Sequence, residues 1–203
     1  MSPLSQRRRQ FLYLGLGATG AGIATALGLA AHQRRSPVSI AASPPPIAAV
    51  APAPDLARAS TTLPEFQGIQ QWLNSAPLTI ADLKNQVVLI QFWTFACINC
   101  QRTLPYIVQW QQKYAGLRVV GIHTAEFAFE RDINNIKSAI KKHNITYPVP
   151  VDNQFKTWNA YKNEYWPHLF LADRQGVIRY DHIGEGAYDT TEQMIQKLLN
   201  TTT

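Results

Sequence analysis

Cysteine is nearly missing from this chain: its 203 residues contain two. That excludes a disulfide-stapled scaffold and a four-cysteine zinc site, both of which need more thiols. Acidic residues are also few, 13 against 19 lysines and arginines. The shortage is local. Residues 1–63 hold six arginines and one acid, Asp55, a net +5, whereas residues 64–203 carry 13 basic and 12 acidic side chains, a net +1. A nearly neutral body with no basic stripe interleaved with aromatics argues against nucleic acid as a partner. Aromatics are missing from residues 36–63, where Pro, Ala and Ser dominate. Such a stretch cannot build a core and reads as an extended linker.

What is present begins with a basic cluster, Arg7-Arg8-Arg9, followed by Gln10-Phe11-Leu12 and an uncharged run over residues 11–31. A basic head before an apolar run is the export pattern. The arginine pair before x-Phe-Leu resembles a twin-arginine signal. The run is also long enough to span a bilayer, so residues 1–35 read as a signal or a membrane anchor, cleaved or retained. Either way the domain is expected outside the cytoplasm, in the periplasm or an equivalent lumen.

Residues 64–203 read as one α/β domain. Val87-Val88-Leu89-Ile90-Gln91-Phe92-Trp93 is a nearly continuous apolar run, as in a strand covered on both faces. A helix is expected over residues 100–114, with Leu104, Ile107, Val108 and Gln111 on one face and a kink at Pro105. A second strand over 117–123, a helix over 131–142, a short strand at 149–151 and a helical turn over 155–161 follow. Strand–helix–strand order with short connections predicts parallel pairing. Residues 168–172 and 177–183, joined by Asp173-Arg174-Gln175-Gly176, read as a hairpin. Asp189 and Glu192 have capping-box spacing and predict the start of a last helix.

The two cysteines, Cys97 and Cys100, sit where the first strand gives way to the first helix. A thiol at a helix start is stabilised as thiolate. A disulfide between residues three apart closes too small a loop to stabilise the fold, so the pair reads as chemical rather than structural.

The order strand–Trp-x-x-x-Cys-x-x-Cys–kinked helix, then Pro before a late strand, resembles the thioredoxin fold, a central mixed sheet flanked by helices. Phe-Trp-Thr-Phe-Ala-Cys-Ile-Asn-Cys (92–100), Gly-Ile-His-Thr-Ala-Glu-Phe (121–127), Tyr-Pro-Val-Pro-Val-Asp-Asn (147–153), Asn-Glu-Tyr-Trp-Pro (163–167) and Gly-Glu-Gly (184–186) resemble the exported thioredoxin-like proteins of the TlpA/ResA type. Among these, the pattern is most similar to the redox domain at the C-terminus of DipZ proteins. The resemblance implies a thiol–disulfide oxidoreductase without a bound cofactor, whose redox centre is a Cys97–Cys100 disulfide. It implies that Cys97 attacks and Cys100 resolves. It implies a cis Trp166–Pro167 bond, and a substrate groove bordered by Trp93, Trp166 and Pro167. The implied partners are exported protein thiols and disulfides, with a membrane thiol donor of the DsbD or CcdA type.

Several positions depart from that pattern. Gln91 stands where cytoplasmic thioredoxins carry a buried acid, and Thr103 where several ResA-like proteins carry a glutamate. Glu126 is the candidate replacement acid/base, weighed against a solvated loop residue. With no cation in Ile98-Asn99, a reducing or intermediate site is expected rather than a strongly oxidising one. Two alternatives remain open. Thr94, three residues before Cys97, has the spacing of a peroxiredoxin-type thiol peroxidase. His123 and His168, near strand ends, leave room for copper delivery on the same fold, with His168 otherwise a partly exposed residue beside Pro167.

Overall fold

The computed structural model describes residues 61–201, and the N-terminal cluster, the uncharged run and most of the linker lie outside that range. The apolar run Val87–Trp93 forms strand β2, every residue of it buried. It lies at the centre of a six-stranded sheet. The outer strands are β1 (Gln71–Leu73) and β6 (Ile178–Ile183), and the order is β1-β4-β3-β2-β5-β6. On one side β2 pairs in parallel with β3 (Leu117–His123), from Val87 opposite Leu117 to Trp93 opposite His123. On the other it pairs antiparallel with β5 (His168–Ala172), from Val88 opposite Ala172 to Phe92 opposite His168. Strand β4 (Val149–Val151) runs parallel to β3 and antiparallel to β1. The sheet is therefore mixed, as expected.

Alternation along β2 sends its side chains to two cores. Val87, Leu89 and Trp93 meet α1 (Ile98–Lys113), α2 (Ile133–Lys142) and α4 (Tyr188–Asn200) through Leu104, Ile107, Trp110, Ile136 and Ile195. Val88, Ile90 and Phe92 meet Trp158 of α3 (Lys156–Ala160), together with Tyr161 and Phe170. Burial on both faces explains why β2 shows no polar alternation.

Four local expectations change. Helix α1 starts at Ile98, two residues early, because the Cys97 sulfur accepts the Cys100 N–H and acts as its N-cap. Helix α4 does not start on an Asp189 capping box. Its N-cap is Ala187, in a left-handed conformation with φ 48°. Glu192 turns outward, accepting from Lys113 and the Tyr114 hydroxyl. The linker gives way to structure before residue 64: Leu63 N–H donates to Gly176 O and Ile178 N–H to Thr61 O, which adds a short bridge to the hairpin. Strand β1 was not foreseen.

Three segments converge at one end of the sheet. The turn after β2 carries Cys97, the loop after β3 carries residues 124–130, and Pro167 immediately precedes β5. Thr124 N–H donates to Trp93 O, and Gly184 N–H, just past β6, donates to Pro167 O. Among the described residues no helix is long and apolar enough to cross a membrane.

Candidate active site

Cys97 is partly exposed, whereas Cys100 is fully buried, and both are thiols. The Cys97 sulfur accepts the Cys100 N–H at 3.2 Å and lies 3.9 Å from Trp166 O. The first turn of α1 holds no acid to oppose a thiolate there. The Cys100 thiol, hydrogen bonding to Cys97, is the main cause that brings Cys97 down from the ordinary 9.0 to about 7. Backbone N–H groups of Cys100 and Asn99 add to this, against burial and the negative charge of Glu126. Cys100 moves the opposite way. Burial pushes it far above the ordinary range, helped by its hydrogen bond to Cys97 and the negative charge of Glu130. One sulfur is thus accessible and readily ionised, the other sequestered as a thiol.

The separation has a direct consequence. Alkylation of the reduced protein by iodoacetamide should modify Cys97 with a midpoint near pH 7, below the 9.0 of an ordinary thiol. Cys100 should remain unmodified over the same range. Peptide mapping of the modified protein reads both outcomes.

Beneath the thiols lies an acid that the sequence reading missed. Glu130 is completely buried. One carboxylate oxygen accepts the Thr94 hydroxyl and the Ala96 N–H (2.8 Å); the other accepts the N–H groups of Glu126 (2.9 Å) and Phe127 (2.8 Å). The carboxylate joins the turn carrying Cys97 to the loop after β3. The hint in the sequence was the three-residue spacing from Phe127 to Glu130, that of an acid folding back on its own backbone. Glu126, the expected candidate, is an exposed loop residue that reaches this network through its backbone N–H.

The other expected residues divide. Pro167 is buried, its bond to Trp166 is cis, and Trp166 O faces the Cys97 sulfur. The Trp166 indole donates to Thr124 O at 3.0 Å and packs on Trp158 at 4.1 Å between ring centroids. Trp93 does not border a groove. It is wholly buried, donates to Gly121 O at 3.1 Å and meets the His123 ring edge-on. Gly121 permits this close approach: a Cβ there would sit 3.1 Å from the Trp93 indole nitrogen and 2.7 Å from Tyr147. Phe95, two residues before Cys97, takes the half-buried place instead.

Both histidines are buried. His123 is buried between Trp93 and Phe95, and burial pushes it down to about 4 despite the pull of Glu130. His168 is buried rather than partly exposed, with its ring nitrogens on Asn163 and Asp181. Among the described residues no three His, Cys, Asp or Glu side chains group as a metal site. Gln91, in place of the buried acid, accepts the Tyr147 hydroxyl at 3.4 Å.

A mixed sheet with a dithiol at the N-terminus of its first long helix, opposite a proline before an antiparallel strand, defines a thioredoxin-like redox protein. Comparison agrees: a thioredoxin-like protein solved in its oxidised form superposes with a TM-score of 0.66 at 29% identity, over 71% of this chain and 98% of that one. The family model of AhpC/TSA matches residues 59–181, and the chain belongs to that family. Among curated relatives it is similar to the DipZ protein of Mycobacterium tuberculosis (strain CDC 1551 / Oshkosh), 43% identical over 144 residues. That match takes in 68% of this chain and 21% of DipZ, so the chain spans about a fifth of that relative's length. It is also similar to the thiol-disulfide oxidoreductase YkuV of Bacillus subtilis (strain 168), at 28% identity over 68% of this chain and 93% of YkuV.

Proposed function

We propose that this chain is a thiol–disulfide oxidoreductase that reduces disulfides of exported proteins through Cys97 and Cys100. The observation carrying the reading is the asymmetry of the pair: an accessible sulfur that ionises near neutrality, one helical turn from a buried thiol. Cys97 thiolate attacks a substrate disulfide, forming a mixed disulfide with one substrate sulfur and releasing the other as thiolate. Cys100 then loses its proton and attacks the Cys97 sulfur. The Cys97–Cys100 disulfide forms and the second substrate thiolate leaves. The substrate gains two electrons, and a dithiol donor must return them to the pair. A membrane thiol transporter of the DsbD or CcdA type fits that role. A strong oxidant would need a far more stable thiolate, with a pKa of about 3.5. The value near 7 supports the reducing direction. Names of relatives such as YkuV support the same reaction class.

Against the peroxidase alternative, the Thr94 hydroxyl is buried and donates to Glu130. The test is turnover: the full chain, supplied with a dithiol donor, should reduce a protein disulfide catalytically, and failure to do so would reject the reading. Location rests on Arg7-Arg8-Arg9 and the run that follows. Replacing Arg8 and Arg9 by lysine is expected to retain the protein in the cytoplasm, as read by cell fractionation. Unchanged export would point to the general secretory route or a simple anchor.

A further inference from the structure

The charges of this nearly neutral domain are sorted between its two ends. Strands β2, β3 and β6 all finish at the dithiol end of the sheet, and α1, α2 and α4 run back from there, so the three helices finish at the opposite end. Their last turns carry Lys113, Lys141, Lys142 and Lys197. Such lysines complement a helix dipole. Four further cations at the same end have no helix terminus to complement by position: Lys84 just before β2, Arg118 early in β3, and Arg174 and Arg179 on the hairpin. Four acids lie among these eight cations. Glu192 pairs with Lys113 at 2.7 Å and Asp173 with Arg179 at 2.6 Å, while Glu65 accepts the Ile80 N–H and Asp82 the Thr79 N–H. The rest of the described chain reverses the balance, with five cations against eight acids. Glu126, Glu164, Asp181 and Glu185 are exposed there, against Arg102 and Arg131 near the thiols. The domain is thus positive away from Cys97 and negative around it.

The basic end is also where the chain enters the domain. Leu63 N–H donates to Gly176 O and Ile178 N–H to Thr61 O, on the hairpin that carries Arg174 and Arg179. Residues 1–60, with the uncharged run that reads as a signal or anchor, therefore attach at this end. Arg174 is committed to the carbonyls of Leu198, Leu199 and Thr201, whereas Lys84, Lys141, Lys142 and Lys197 are exposed. Apolar surface is scarce here. The large apolar side chains exposed among the described residues are Ile98, Tyr106, Phe127, Phe129, Tyr165 and Ile183, and none belongs to the basic end. A protein interface ordinarily has an apolar, aromatic-rich centre. An anionic lipid surface needs only cations brought within a Debye length of it.

We infer that the end of the sheet opposite Cys97, carrying Lys84, Lys141, Lys142 and Lys197, docks on an anionic phospholipid bilayer and turns the dithiol away from the membrane. In the full chain this surface acts together with the N-terminal segment. A single weak membrane signal gives marginal binding, and two on one chain reinforce each other. Charge fixes the orientation, because turning the domain over would bring Glu126, Glu164, Asp181 and Glu185 against the same anionic surface. The inference concerns where the dithiol points and does not depend on the direction in which it passes electrons.

Lysine footprinting tests this. The full chain is mixed with vesicles of phosphatidylcholine, or of phosphatidylcholine and phosphatidylglycerol in equal parts. Its lysines are then acetylated briefly with a water-soluble reagent and mapped by mass spectrometry. Lys84, Lys141, Lys142 and Lys197 are expected to react about threefold or more slowly on the anionic vesicles than on the neutral ones, and to recover in high salt. Lys156 and Lys162, on the other half of the domain, are expected to react alike on both. Comparing lysines within one domain removes the contribution of Arg7-Arg8-Arg9, which would draw the chain to an anionic vesicle without choosing a face. Uniform slowing, no slowing, or slowing of Lys156 and Lys162 alone overturns the inference. Protection of the four lysines by soluble polyglutamate but not by vesicles also overturns it, in favour of an acidic protein partner. The dithiol chemistry is read separately, by turnover, and stands under any of these results.

Discussion

Cys97→Ser is expected to abolish disulfide reduction, lowering turnover by several orders of magnitude, because no other thiol is accessible to attack. Cys100 cannot take over. It is completely buried, and burial together with the neighbouring Cys97 holds it as a thiol. Cys100→Ser should behave differently. Its Cys97 keeps the hydrogen bonds from the Asn99 and Cys100 backbone and still attacks substrate. With no resolving thiol the mixed disulfide then persists. Non-reducing electrophoresis after mixing with substrate should show a covalent adduct for Cys100→Ser and none for Cys97→Ser. Equal adduct formation by both variants would mean that attack does not begin at Cys97.

Glu130→Ala is expected to be the most destabilising substitution near the site. The carboxylate accepts four donors on two oxygens, three of them backbone N–H groups. Its removal leaves the buried Thr94 hydroxyl and three part-buried N–H groups without this acceptor, at a cost of about 3 kcal/mol. For a chain of this size that corresponds to a fall of roughly 10 °C in Tm. Glu130→Gln should recover little, because its amide nitrogen would face N–H donors on at least one side. Glu126→Ala, at an exposed position, should change stability by less than about 0.5 kcal/mol. Thermal unfolding of the reduced proteins distinguishes these cases. Similar losses for Glu126→Ala and Glu130→Ala would show that the buried carboxylate does not hold the two loops together.

The parts of this architecture that were legible in the sequence are those with dense local signals. Val87–Trp93 is apolar at nearly every position, which only a doubly covered strand requires. The turn from Asp173 to Gly176 carries its own chemistry: Asp173 accepts the N–H groups of Gln175 and Val177, and Gly176 has φ 78°. The thiol pair announced itself by its place between strand and helix. What was not legible depended on distant partners. Glu130 sits in Phe-Ala-Phe-Glu-Arg, where no apolar period marks it as buried; its partners Thr94 and Ala96 lie more than thirty residues earlier. Strand β1 is three residues long and owes its conformation to pairing with β4. Asp189 and Glu192 satisfied a local capping rule, yet Glu192 found Lys113 and Tyr114 across the helix pair, and left-handed Ala187 set the helix start. Trp93 was assigned to the groove by resemblance. Strand alternation instead turns it into the core, leaving Phe95 as the half-buried aromatic on the thiol turn.

The most direct measurement is a redox titration of the full chain against a dithiol–disulfide buffer series, with free thiols alkylated and their positions mapped at each point. Cys97 and Cys100 are predicted to disappear together in one two-electron transition, giving an intramolecular disulfide lighter by two hydrogens than the reduced protein. If both cysteines stay alkylatable after unfolding at every buffer potential, or if Cys97 oxidises while Cys100 remains free, the pair is not a redox couple and the proposed function fails.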